Sequence, residues 1–135
     1  MSSMTPLQLQ AMEARIISTY LKLRKRHDMR ESTIEKYLVD QVKKHGGVAE
    51  KFKSPGRKNV PDRIVLWPTR KYFCDGYHAY VEPDIHFIEL KATGKKATVA
   101  QERDHKWRRE MGFLVLVLDS KEGVDIYIKA NAPRG

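Results

Sequence analysis

Six consecutive apolar residues, Phe113-Leu114-Val115-Leu116-Val117-Leu118, follow directly on Gly112. The run has neither the alternation of a half-solvated strand nor the period of an amphipathic helix. It predicts a strand buried on both faces, as in the middle of an α/β sheet. Just upstream, Thr98 with Gln101 three residues on is a capping-box pattern. It opens a helix that runs to Met111, and Gly112 closes it. Before that helix, Ile85 to Ala92 reads as another strand, with Phe87, Ile88 and Leu90 as its apolar members. A helix between two strands implies a right-handed crossover and a parallel pair.

The rest of the chain fills in around this unit. Residues 6–27 carry Leu9, Met12, Ile16, Tyr20 and Leu23 at helical spacing, which predicts a surface helix packed on the domain or on a second subunit. A second helix is expected over Glu31–His45, with Ser32 as N-cap and Glu35 completing its capping box. Ile34, Leu38 and Val42 form its apolar face, and Gly46-Gly47 ends it. Val48 to Phe52 and Asp62 to Trp67 read as strands, the second stopped by Pro68. Between them, residues 54–59 form a loop by composition. Residues 68–84 are a long hairpin connection, in which Asp75, Glu82 and Asp84 are read as solvated. The tail, Val124 to Lys129, fits a strand or a short helix, and periodicity does not decide between them. The expected class is α/β: a mixed sheet flanked by helices, in the order α-α-β-β-β-α-β.

The chain has 135 residues, one domain's worth. Its apolar runs fall far short of the ~20 residues that cross a bilayer. The N-terminus has no charged region followed by an apolar core, so no secretory signal is expected. One cysteine, Cys74, excludes an intramolecular disulfide and a Cys-rich zinc module. These features describe a basic, intracellular, cytoplasmic protein. Lys and Arg number 26 against 17 Asp and Glu, a formal charge of +9. Such an excess favours a polyanionic partner, because nucleic acids release counterions when cations neutralise their phosphates. Lys51, Lys53, Arg57 and Lys58 lie in one loop region and Lys95 and Lys96 in another, where they suit phosphate contacts. Arg103, Lys106, Arg108 and Arg109 follow on the third helix.

The acidic minority carries the chemistry. Asp62 follows Pro61 at the start of an apolar strand. Glu89 lies inside a second apolar strand, with Lys91 two residues on and therefore on the same face. A Glu and a Lys on one face of a hydrophobic strand are costly to bury unless paired or metal-bound. An ion pair on an edge strand accounts for the triplet equally well, and an Asp at a strand start is ordinary turn chemistry.

Taken together, Pro61-Asp62 and Glu89-Leu90-Lys91 resemble the PD-(D/E)xK nuclease superfamily, and more narrowly the VRR-NUC (virus-type replication-repair nuclease) family in its stand-alone phage and bacterial form. The resemblance spans roughly Ser32 to Ser120. It rests on Ile34-Glu35-Lys36-Tyr37-Leu38, on Gly46-Gly47 through Ser54-Pro55-Gly56 to Val60-Pro61-Asp62-Arg63, on Phe87 to Ala92, and on Gln101, His105 and Gly112. It implies a restriction-endonuclease-like core over residues 31–130, preceded by a helical extension (1–30) and followed by a flexible tail (131–135). It implies that Asp62, Glu89 and the Leu90 backbone carbonyl hold Mg²⁺ or Mn²⁺, with Glu35 on the metal side. Lys91 would lie beside the attacking water, and Gln101 would steady the lysine or the phosphate. Glu35 and Gln101 also stand where capping-box side chains stand, and the two roles are compatible. His105 reads as a helix-packing histidine. His78, His86 and Cys74 lack partners at ligand spacing, so no transition-metal site is assigned.

The expected activity is metal-dependent endonucleolytic hydrolysis of DNA, with branched DNA such as a four-way junction as substrate, a homodimer as working form and no small-molecule cofactor. The N-terminal helix and the 68–84 connection go beyond the family's small members. Two alternatives stay open: a catalytically silent nucleic-acid-binding module with a nuclease fold, and a nuclease for flaps or general duplex.

Overall fold

A computed structural model describes residues 5–74, 76–81 and 83–133. The readings of the first four residues, of Asp75 and Glu82, and of the last two residues of the tail lie outside these. The order is α1 (Pro6–His27), α2 (Glu31–Lys44), β1 (Val48–Lys51), β2 (Arg63–Trp67), β3 (Arg70–Cys74), β4 (Tyr77–Val81), β5 (Asp84–Leu90), α3 (Val99–Glu110), β6 (Leu114–Leu118) and α4 (Lys121–Asn131). One sheet holds four strands in the order β1-β2-β5-β6, and β3 and β4 form a separate two-stranded sheet. The pairs β1–β2 and β2–β5 are antiparallel, and β5–β6 is parallel across the α3 crossover. The class is therefore α/β with a mixed sheet. Among the described residues, no helix is long and apolar enough to cross a membrane.

The core lies between one face of the sheet and helices α2 and α4. Ile34, Leu38 and Val42 of α2 meet Val124, Tyr127 and Ile128 of α4 over Val65, Trp67, Ile88, Leu90 and Leu118 of the strands. Each large aliphatic buried this way contributes about 1.5–3 kcal/mol. Trp67 Nε1 donates to the Tyr127 hydroxyl at 2.9 Å, and His86 Nδ1 lies 2.7 Å from the same oxygen. This satisfies the core's polar atoms, as burial requires. The turn between α2 and β1 needs glycine for space: a Cβ on Gly47 would come within 2.7 Å of the Trp67 ring and 2.9 Å of Val42. The other sheet face carries Phe87 and Glu89, and α3 packs there.

Two readings change in detail, and two are filled in. The apolar run is β6, an edge strand, with Leu114 and Val117 over a third exposed. Its apolar side chains serve two helical layers, and the chain turns into α4 instead of adding a strand beyond it. Helix α2 begins at Glu31 as expected, but its N-cap is Arg30 and not Ser32, and it has no side-chain cap. Burial of Ile34, Leu38 and Val42 sets its phase, and the capping pattern does not. Residues 68–84 contain the β3–β4 hairpin, and the tail is helical because Val124, Tyr127 and Ile128 must face the core together.

Candidate active site

Asp62, Glu89 and Lys91 converge on the α3 side of the sheet. Asp62 precedes β2, and its Oδ2 accepts the Leu90 amide N–H at 2.7 Å. This bond ties the start of β2 to the end of β5. A strand residue directs its N–H and C=O toward the same neighbour, so the Leu90 carbonyl also lies on the Asp62 side.

Glu89 is 2% exposed. Its Oε1 accepts from Gln101 Nε2 at 2.7 Å and lies 3.5 Å from Lys91 Nζ. Its Oε2 has no hydrogen-bond partner. The nearest cationic candidate, His105 Nε2, is 4.0 Å away and is itself unpartnered. Burial, then the charge of Asp62, pushes the Glu89 carboxyl up to about 7, while Lys91 pulls it down. His105 is held below its ordinary value by burial and by Arg109, so its ring is neutral near pH 7.

The site thus contains an orphaned carboxylate oxygen beside a second carboxylate whose charge disfavours ionisation. A divalent cation removes both penalties at once. The donor set of Asp62, Glu89 and the Leu90 carbonyl is all oxygen, which suits a hard cation such as Mg²⁺ or Mn²⁺ that keeps several waters. Among the described residues, no group of three or more His, Cys, Asp or Glu side chains gathers to form a fuller cage.

Gln101 occupies both of the positions its sequence context allows. Its side-chain oxygen accepts the Thr98 N–H at 2.9 Å, its backbone N–H donates to Thr98 Oγ1 at 3.2 Å, and its amide nitrogen reaches Glu89. The capping box of α3 therefore aims the residue at the site.

Glu35 is bonded to two cations. Its Oε1 accepts from Arg63 Nε at 2.8 Å and Lys51 Nζ at 3.0 Å. Burial alone raises its carboxyl, and the bonds from Lys51 and Arg63 outweigh that and hold it below its ordinary value. The structure thus ties Glu35 to two cations and engages Lys51. One turn earlier on α2, Glu31 is exposed, and its charge contributes to raising Glu89. Sequence reasoning missed it. The available signal was its i, i+4 spacing from Glu35, which puts both on one helix face.

Of the other basic residues, Arg57 pairs with buried Asp104 at 3.2 Å, and its guanidinium lies 4.1 Å from the Trp107 ring centroid. Asp104 also accepts from Arg108 Nε at 2.8 Å, and Arg108 lies over Phe52 and Phe87. This network straps the 54–59 loop to α3. Lys53, Lys58, Lys95 and Lys96 are exposed, with no ion pair among the described residues. Lys51, Lys53 and Lys58 lie before Asp62 and Lys95 and Lys96 after Lys91, so cations flank the carboxylates in sequence on both sides.

No family model matches the sequence. A protein of Acyrthosiphon pisum secondary endosymbiont phage 1 named "Putative nuclease p44" is 45% identical over 94 residues, covering 70% of this chain and 87% of that protein. A solved structure titled "VRR_NUC domain" superposes with a TM-score of 0.61 at 27% identity, covering 75% of this chain and 97% of its own.

Proposed function

Because this chain belongs to the VRR-NUC family of nucleases, we propose that it is a divalent-metal-dependent endonuclease that hydrolyses DNA phosphodiesters. Branched DNA is its preferred substrate, and a homodimer is its working form. The observation that carries the metal-dependent reading is the orphaned Glu89 Oε2 beside Asp62, in a carboxyl pushed up to about 7.

In this reading Asp62, Glu89 and the Leu90 carbonyl hold the cation. When bound, Mg²⁺ or Mn²⁺ lowers the pKa of a water and offsets charge on the transferring phosphoryl group. The remaining work falls to the chain. Gln101 fixes Glu89 Oε1, so the carboxylate cannot rotate away from the centre. Lys91, 15% exposed beside Glu89, orients the attacking water or bears its proton. Glu31 stands ready on the metal side, with Glu35 behind it in its pairs with Lys51 and Arg63. A C₂ dimer presents two such centres to two strands, which suits paired incisions at a junction.

The test is cleavage of a labelled four-way junction beside linear duplex, flap and single-stranded DNA, each with Mg²⁺, Mn²⁺ or EDTA. Paired, metal-dependent cuts near the branch point are expected; Asp62→Ala should abolish them and Lys91→Ala should slow them by at least about 10²-fold, while DNA binding persists. Equal cutting of all four substrates removes the branch preference. Undiminished cutting by both variants removes the site. Binding with no cutting under any metal leaves a silent binding module.

A further inference from the structure

A cavity of about 560 Å³ opens between α3, the outer side of edge strand β6 and the turn that follows Lys91. Lys95, Lys96, Lys106 and Arg109 line it, together with Glu102 and Asp119. We propose that this cavity is a second phosphate subsite, which seats a backbone phosphate of the bound DNA strand next to the one being cut. The proposal rests on the nuclease reading and extends it to the path of the strand.

The cavity and the candidate cleavage centre share one wall residue. His105 forms part of the cavity's wall and also faces Glu89 across 4.0 Å. In the proposed path the strand continues from Asp62 and Glu89 to this cavity, with buried His105 between the two.

The cations are available and held in place. The Lys95 amide donates to the Ala92 carbonyl at 2.9 Å, closing a turn in which Gly94 has φ +81°. Thr93 anchors that turn: its amide donates to the Met29 carbonyl at 3.1 Å and its hydroxyl to the Asp119 carbonyl at 3.0 Å. Lys95 and Lys96 thus project from a fixed backbone, and neither forms an ion pair among the described residues. Lys106 has only an exposed contact with Glu110 at 3.9 Å, a pairing that contributes little.

The lining is net basic: Lys95, Lys96, Lys106 and Arg109 stand against Glu102 and Asp119. Asp119 Oδ2 accepts the Gly94 amide at 3.1 Å. Arg109 donates to the Val115 carbonyl at 2.8 and 3.2 Å and closes that part of the β6 edge to a further strand. What stays open is a recess rimmed by the ammonium groups of Lys95, Lys96 and Lys106. Lysine on a flexible stem suits a phosphate as a point charge and carries no base information.

The test compares Lys95→Ala/Lys96→Ala/Lys106→Ala with a control that removes distant charge, Lys44→Ala/Lys129→Ala. Binding of fluorescein-labelled single-stranded and duplex DNA is followed by anisotropy in EDTA from 50 to 200 mM NaCl. A phosphate subsite predicts that the slope of log Kobs against log salt falls by about one or more in the triple variant. The control slope should stay near that of the unmodified protein. An unchanged slope in the triple variant overturns the proposal, as does an equal fall in the control. Competition by a mononucleotide as strong, per phosphate, as competition by the oligonucleotide assigns the cavity to free nucleotide and also overturns it. Cleavage with Mg²⁺ is assayed in parallel. Cleavage with an unchanged slope sinks the subsite alone. A reduced slope with no cleavage in the unmodified protein sinks the nuclease reading alone.

Discussion

Glu89 is the residue on which the chemistry and the stability meet. Its carboxyl titrates near 7 in the folded protein, above its value of 4.5 in the open chain. The metal-free native state therefore holds a proton that the unfolded state has released. Between those two pH values the native state binds more protons, so stability falls as pH rises, by about 3 kcal/mol at most. Thermal melts in EDTA from pH 4.5 to 8 should show this decline, and Glu89→Gln should flatten it. Added Mn²⁺ should raise the melting temperature at pH 8 and do so much less at pH 5, because the cation binds the ionised carboxylate and protons compete for it. A melting temperature that ignores Mn²⁺ at pH 8 would count against a metal at this position. Lys91→Ala should lower the cleavage rate by about 10²–10⁴, the range for a side chain that handles a proton in the transition state. Single-turnover kinetics at saturating DNA would measure it.

At the scale of elements, three short pieces of chain hold the site in register. The first is the capping box of α3, which points Gln101 at Glu89. Thr98→Ala removes the hydroxyl that accepts the Gln101 amide and should cost about 1 kcal/mol. It should also slow cleavage, because Gln101 loses its anchor, whereas Thr98→Ser should restore both. Denaturant unfolding and initial rates on the same preparations would separate the two effects. The second is the turn from α2 into β1. Gly47→Ala drives a methyl into Trp67 and Val42 and should cost about 1–3 kcal/mol, the usual penalty of overpacking a filled core. A Gly47→Ala protein as stable as its parent in urea would mean that Trp67 can move, contrary to its hydrogen bond with Tyr127. The Asp104–Arg57 pair is a third such piece: it converts a basic loop residue into a strap beside Asp62.

For the whole molecule, the described side chains of α1 stand apart from the core. Every described side chain from Thr5 to Thr19 is exposed, including Leu7, Ile16 and Ile17. Removing residues 1–27 should leave the melting temperature nearly unchanged, within about 0.5 kcal/mol of the parent. Light scattering on the same truncation reports whether the proposed dimer depends on this helix. A large loss of stability in a protein shown to be monomeric would mean that α1 packs on its own domain after all. The net charge of +9 acts at this scale too, drawing a polyanion to the molecule over about a Debye length, ~8 Å at physiological salt.

Much of this protein was legible one residue at a time. Local signals are strong where the chain itself sets the geometry. Helical spacing marked α1 and the core face of α2, the Thr98–Gln101 box marked the start of α3, and glycines marked two helix ends. Strand alternation put Glu89 and Lys91 on one face before any tertiary contact was known. The PD and ExK blocks carried the family because they are contiguous in the chain. Signals failed where the outcome depends on what packs next to an element. An apolar run such as Leu114 to Leu118 looks the same in a central strand and in an edge strand between two helical layers, because the side chains report the layers and not the neighbouring strand. Ser32 makes a plausible cap in isolation, yet the helix that buries Ile34, Leu38 and Val42 already includes Ser32 and has Arg30 at its N-cap. Glu35 has the right chemistry for a metal and sits against Lys51 and Arg63. Only the folded chain shows which carboxylate faces which charge, since that depends on distances between segments that the sequence keeps apart.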